Sequence, residues 1–241
     1  MNSKKRIFGA LFPALILLAI SLQAVSQTEK RNPHQLNIVS SVADHKKQTV
    51  ANNQFEMIDL QQLIPGLKLD IRYATKNNFT EEVIYSAPKA FLRKPVAEAL
   101  KKVQDSLAFH HLGLKVFDAY RPYAATLRFH EVYPDTNFVA NPQKGSRHNR
   151  GCAVDVTLVS LFTGNELKMP TEFDDFSEKA NSNYTRLSDE VIHNRKFLFD
   201  IMSHFGFKHL STEWWHFDYT GWEKFPLMDL TFDELLILNP E

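Results

Sequence analysis

Two short segments of the chain carry residue types that bind metal ions, and each adjoins a run of strand-like composition. The first is Ser146-Arg147-His148-Asn149-Arg150-Gly151-Cys152-Ala153-Val154-Asp155, and the second is Glu213-Trp214-Trp215-His216. Neither has the helical His-Glu-x-x-His form, whose ligands share a face because they lie four apart. For the two segments to serve one centre, the geometry has to come from a sheet. His148 and Asp155 are seven residues apart, a spacing that puts them on opposite faces of an uninterrupted strand. Gly151 between them supplies a bend that can bring both to one side. On the second run His216 and Asp218 share one face while Trp215, Phe217 and Tyr219 share the other, so the aromatics fill a core while His216 faces a site.

Two imidazoles and one carboxylate leave a fourth zinc position open, the coordination of catalytic rather than structural zinc. Zinc acidifies a bound water and polarises a carbonyl. A neighbouring carboxylate can take the proton and return it to a leaving amine, and Glu213, three residues before His216, is the candidate. A fixed cation suits the developing oxyanion, and Arg121 stands at a strand end beside Pro122. One histidine beside aromatics is more often a core residue than a ligand. The combination of both segments next to strands points to a metallohydrolase.

The 28 Lys and Arg balance the 28 Asp and Glu, which gives no electrostatic pull toward nucleic acid or an anionic membrane. The single cysteine, Cys152, excludes an internal disulfide framework and a Cys-rich zinc site; a small buried hydrophobe is its expected state. Residues 1–26 read as a signal peptide: Lys4, Lys5 and Arg6 precede an apolar run from Ile7 to Leu22, and Ala24-Val25-Ser26 precedes a cut before Gln27. The run falls short of the ~20 residues of a membrane span, so the expected location is periplasmic or secreted. Residues 27–53 are polar without period and are expected to form a tether. Residues 54–241 remain as one domain.

Within it, Leu67, Leu69, Ile71 and Tyr73 alternate with polar residues as a half-buried strand does. Pro95 opens a helix carrying Val96, Leu100, Val103 and Leu107, stopped by Gly113. A strand over 114–119 ends at Tyr120-Arg121-Pro122, and a helix follows over 124–132. The runs 152–158 and 214–219 are strands. Ser188 caps a helix carrying Val191, Leu198, Met202 and Phe205, with Gly206 beyond it. Strands and helices do not alternate strictly, so an α+β domain with an antiparallel sheet flanked by helices is expected.

The pattern Ser-x-His-x-x-Gly-x-Ala-x-Asp followed by Glu-x-Trp-His resembles the signature of the zinc D,D-peptidases with the hedgehog/DD-peptidase fold. Within that group the chain is most similar to the VanX-type D-alanyl-D-alanine dipeptidases, through 70–75, 77–80, Asp118-Ala119-Tyr120-Arg121-Pro122, 173–176 and 212–216. The resemblance implies one zinc ion per chain on His148, Asp155 and His216, Glu213 as base, and Arg121 on the transition state. Ser146 and Asp174 are implied substrate contacts, a dipeptide's ammonium wanting a carboxylate such as Asp174. Tyr73 could add a hydrogen bond, although its apolar period-two neighbours favour a core role. The expected reaction is hydrolysis of D-Ala-D-Ala, in peptidoglycan turnover or dipeptide scavenging. A peptidoglycan D,D-carboxypeptidase or endopeptidase and a silent zinc-stabilised binding module are the alternatives. The family commonly has a glycine after Asn-Phe-Thr, where this chain has Glu81-Glu82; the departure bears on the entrance loop.

Overall fold

The computed structural model describes residues 32–240; the expected signal peptide, residues 1–26, lies outside them. In chain order the elements are β1 (Ile38–Val39), α1 (Val42–Ala51), β2 (Met57–Asp59), α2 (Leu60–Leu63), β3 (Lys68–Leu69), β4 (Phe91–Arg93), α3 (Lys94–Ala108), β5 (Leu112–Asp118), α4 (Tyr123–Val132), β6 (Ala153–Ser160), α5 (Asp189–His204), β7 (Phe207–His209), β8 (His216–Tyr219), β9 (Leu227–Met228) and α6 (Phe232–Leu238). Five strands form one sheet in the order β3-β5-β6-β8-β7. All its pairings are antiparallel except β3 with β5, so the expected α+β class with a largely antiparallel sheet holds.

The sheet is buried where the sequence is continuously apolar. In β6, residues Ala153 to Val159 are all buried, as a strand covered on both faces requires. α3 packs on β5 and on α5, and Pro95 stands in its first turn. Its Val96, Leu100, Val103 and Leu107 have no exposed surface, each burial contributing roughly 1.5–3 kcal/mol. Ser188 caps α5 by accepting from the Val191 amide, and of its expected apolar face Leu198 and Met202 are fully buried.

Three expectations are corrected. The strand over 67–73 shrinks to the two residues of β3, and Arg72–Ala74 form a 3-10 turn. There the Tyr73 carbonyl accepts from both Ile84 and Tyr85 amides, which takes it out of any ladder. The strand expected from Trp214 begins at His216. Residues 27–53 are not a tether along their whole length, because the compact unit starts at Asn37. Ile38 and Val39 pair in parallel with Leu227 and Met228, and Ser41 caps α1 through the Asp44 amide. A helix with a single buried residue shows no period, which is why its polar composition reads as disorder.

That residue, His45, is 3% exposed and its Nδ1 has no hydrogen-bond partner among the described residues. Burial first, and then the Arg93 guanidinium, push its pKa down to about 4, below the ~6.5 of an unfolded histidine. Folding therefore favours the neutral ring. The contribution is complete above pH ~6.5 and is lost as the pH falls toward 4, amounting to about 2–3 kcal/mol. Urea unfolding at pH 7 and pH 4 should show His45→Leu losing less stability on acidification than the parent by about that amount. Equal losses would place the proton elsewhere.

Candidate active site

One row of residues crosses the end of the sheet. Asp118 on β5 is paired with Asp155 on β6, and Asp155 with His216 on β8. Directly opposed residues on adjacent strands present their side chains on one face. The register of β5 shifts between Val116, opposite Val156, and Asp118, opposite Asp155. This bulge inserts Phe117 as the extra residue and so sets Asp118, rather than a phenyl ring, beside Asp155.

His148 reaches the row from outside the strand. It opens a 3-10 turn, His148–Arg150, that ends on Gly151 at φ 68°. A Cβ at Gly151 would lie 2.9 Å from the Met57 methyl, so both the left-handed backbone and the packing call for glycine. The expected bend at Gly151 is present, as the end of a helical turn rather than a kink in a strand. Asn149 braces the turn: its Oδ1 accepts from the Ser146 amide, and its Nδ2 donates to the Arg121 carbonyl and to Thr126.

Three ligand atoms converge. His148 Nε2 lies 3.1 Å from His216 Nδ1 and 3.4 Å from Asp155 Oδ1, and His216 Nδ1 lies 3.0 Å from that oxygen. All three residues are buried. Their outer partners assign the ring protons. His148 Nδ1 donates to the Ala119 carbonyl at 2.6 Å, and His216 Nε2 donates to Asp218 Oδ1 at 2.9 Å. Both inward nitrogens then carry lone pairs, and with the carboxylate they form a set of acceptors with no protein donor between the two rings. Edges of this length are what atoms roughly 2.0–2.2 Å from a shared zinc ion leave between them. The donor set fits a zinc-type ion.

Glu213 is buried in the turn before β8, its Oε2 3.9 Å from His216 Nδ1. Burial pushes its carboxyl up to about 7, in the range where a carboxylate can both take and return a proton near neutrality. Arg121 is held by Asp118 Oδ2, which accepts from Nε at 3.1 Å and from Nη2 at 2.8 Å. Its guanidinium also lies 4.6 Å from the centre of the Phe129 ring. These groups line a cavity of about 300 Å³. Ser146, Tyr73 and Asp174 line it too. The Tyr73 hydroxyl donates to Asp174 Oδ2 at 2.9 Å. Tyr73 is thus both core and site, its ring buried and its hydroxyl on a cavity carboxylate. Asp174 has φ 61°, a conformation rare outside glycine and often retained where a side chain has a task. Cys152, as expected, is buried, and its thiol is pushed up to about 12 by that burial.

The residues expected at the site, Tyr73, Arg121, Ser146, His148, Asp155, Asp174, Glu213 and His216, all line this cavity. Two were overlooked, Asp118 and Asp218, which orient Arg121 and His216. Both carried a signal: Asp218 shares a strand face with His216, and Asp118 is an acid three residues before an arginine at a strand end.

A mixed sheet with two imidazoles and a carboxylate gathered at one end of its strands, and with a buried glutamate and an arginine alongside, defines a metal-dependent hydrolase. The sequence model described as D-ala-D-ala dipeptidase, peptidase family M15, matches residues 53–233, and the chain belongs to that family. It is 34% identical over 173 residues to the D-alanyl-D-alanine dipeptidase of Escherichia coli (strain K12), covering 72% of this chain and 89% of that protein. It is 31% identical over 178 residues to the D-alanyl-D-alanine dipeptidase of Enterococcus faecium, covering 66% and 88%. Likeness to solved structures is slighter: the LD-carboxypeptidase LdcB aligns at TM-score 0.39 and 21% identity over 76% of this chain and 77% of that one.

Proposed function

We propose that this protein is an exported zinc dipeptidase that hydrolyses D-alanyl-D-alanine to two molecules of D-alanine, in peptidoglycan turnover or dipeptide scavenging. The observation that carries the reading is the convergence of His148 Nε2, His216 Nδ1 and Asp155 Oδ1, with the Glu213 carboxylate on the edge of the triangle. These three residues would hold one zinc ion, which supplies a water acidified toward pKa ~7 and a Lewis acid for the scissile carbonyl. Glu213 takes the proton from the attacking water and gives it to the departing amine. Arg121, fixed by Asp118, donates hydrogen bonds to the oxygen on which negative charge grows.

Asp174 receives the ammonium of the free dipeptide, and Tyr73 holds that carboxylate in place. Ser146 offers its hydroxyl proton, since its oxygen already accepts from the Asn149 amide at 3.1 Å. Residues 1–26 supply the export signal. Outside the cytoplasm the enzyme meets dipeptide released from the wall rather than wall precursors under construction.

The test is release of D-alanine from D-Ala-D-Ala by purified protein beginning at Gln27, with zinc and after chelation. Turnover that requires zinc is the expected result. Trimming of a muramyl pentapeptide without cleavage of the free dipeptide would replace this reading with a D,D-carboxypeptidase.

A further inference from the structure

One wall of the cavity is aromatic. Phe79, Phe129, Phe138 and Phe176 all line it and come from four different stretches of chain. Their rings interlock, with centroids 5.1 Å apart for Phe79 and Phe129, 5.3 Å for Phe79 and Phe176, and 5.1 Å for Phe138 and Phe176. Phe129 stands on α4, whereas Phe79, Phe138 and Phe176 stand on loops; that of Phe79 runs between Ala74 and Phe91. That loop is nevertheless fixed. The Asn78 side chain donates to the Thr75 and Glu82 carbonyls at 2.7 and 2.8 Å and accepts from the Thr80 amide at 2.8 Å. Glu81 occupies φ 58°, a backbone that a residue with a side chain rarely takes. Directly after it, Glu82 grips Arg128 with both oxygens, Oε1 to Nη2 at 2.6 Å and Oε2 to Nε at 3.0 Å.

Arg128 precedes Phe129 on α4, so the ion pair ties the loop to the residue beside the ring against which Phe79 packs. A bidentate pair fixes orientation as well as distance. The loop that carries Phe79 cannot lift from the cavity without breaking this pair and the Asn78 contacts together.

We propose that Phe79 is a specificity-determining residue, held closed by the Glu82–Arg128 pair, that restricts the enzyme to D,D-dipeptides with small side chains. This rests on the dipeptidase reading and deepens it. A substrate side chain reaching this wall must displace a ring already packed on three others, Tyr73, Phe129 and Phe176, and one or a few added carbons in such a pocket change selectivity by roughly 10- to 200-fold.

The experiment compares zinc-loaded parent, Phe79→Ala, Glu82→Gln and the reversed pair Glu82→Arg with Arg128→Glu, on D-Ala-D-Ala, D-Ala-D-Leu and D-Leu-D-Ala. The reading is the ratio of kcat/KM for the larger dipeptides to that for dialanine. Phe79→Ala should raise it about 10-fold or more for at least one larger dipeptide. Glu82→Gln should raise it about 2- to 5-fold, the scale of a half-exposed ion pair, and the reversed pair should bring it back. Glu82 and Arg128 are on the surface, so those variants keep the question open to refutation if Phe79→Ala does not fold. A ratio unmoved by Phe79→Ala and by Glu82→Gln overturns the proposal. Should the parent cleave no dipeptide, the dipeptidase reading fails separately, and the same ratio is then read from dissociation constants by calorimetry.

Discussion

Glu213→Gln is expected to lower kcat on D-Ala-D-Ala by about 10²- to 10⁴-fold, the usual weight of a positioned general acid–base, while zinc stays bound. Glutamine keeps the shape of glutamate and cannot accept the proton. The separation of these two effects follows from the geometry. Glu213 stands 3.9 Å from His216 Nδ1, beside the ligand triangle but not part of it. The three ligand atoms are set by contacts that do not involve Glu213: the Ala119 carbonyl for His148, Asp218 for His216, and the pairing of β6 with β8 for Asp155. The measurements are steady-state turnover and zinc content after dialysis. Loss of zinc together with activity would make Glu213 a ligand, and retention of kcat within about tenfold of the parent would remove it from the chemistry.

The three candidate metal ligands were legible in the sequence because each belongs to a short local pattern. Spacing alone brought His148 and Asp155 together only at Gly151, and the backbone there is indeed left-handed. What spacing could not give is the register. Asp118 becomes the neighbour of Asp155 through a bulge in β5, and nothing in the local pattern of Val116-Phe117-Asp118 marks one. The Ala119 carbonyl that orients His148 is a backbone group, invisible to any reading of side-chain types. Asp218 was visible as a partner on the His216 face but needed the 2.9 Å contact to acquire its part.

Elements with a strong period, α3 above all, were read closely at their start and along their buried face, but α3 ends at Ala108, and Gly113, expected to stop it, lies inside β5. Those resting on two or three paired residues were not read so closely. β1 and β3 are two residues long, too short for an alternation to show. The helix α1 has one buried residue. Its place in the fold comes from β1 pairing with β9 across nearly the whole chain, a tertiary contact that local propensity does not encode.

The bulge also shapes the second large effect. Asp118 is buried and takes four hydrogen bonds, with its two oxygens differently employed. Oδ1 accepts from the Tyr85 hydroxyl and the Ala119 amide, each at 2.9 Å, while Oδ2 accepts both Arg121 bonds and shares the Tyr85 hydroxyl at 3.1 Å. In Asp118→Asn the amide oxygen can replace Oδ1, which leaves the NH₂ group facing a guanidinium, donor against donor. Arg121 is then a buried cation without its counter-charge, a loss that costs about 3–5 kcal/mol. Turnover should fall about 10²-fold because Arg121 is no longer held toward the reacting oxygen. A second substitution separates orientation of Arg121 from a general role in folding. With Arg121→Met already present, Asp118→Asn removes a charge that has itself become unpaired, so urea unfolding should find the double variant more stable than Asp118→Asn alone. Its kcat should lie within about twofold of Arg121→Met, since groups that act as one unit are not additive. If the two losses instead add, in stability and in rate, Asp118 works through something other than Arg121, and the Ala119 amide, which leads to the carbonyl on His148, is the next contact to test.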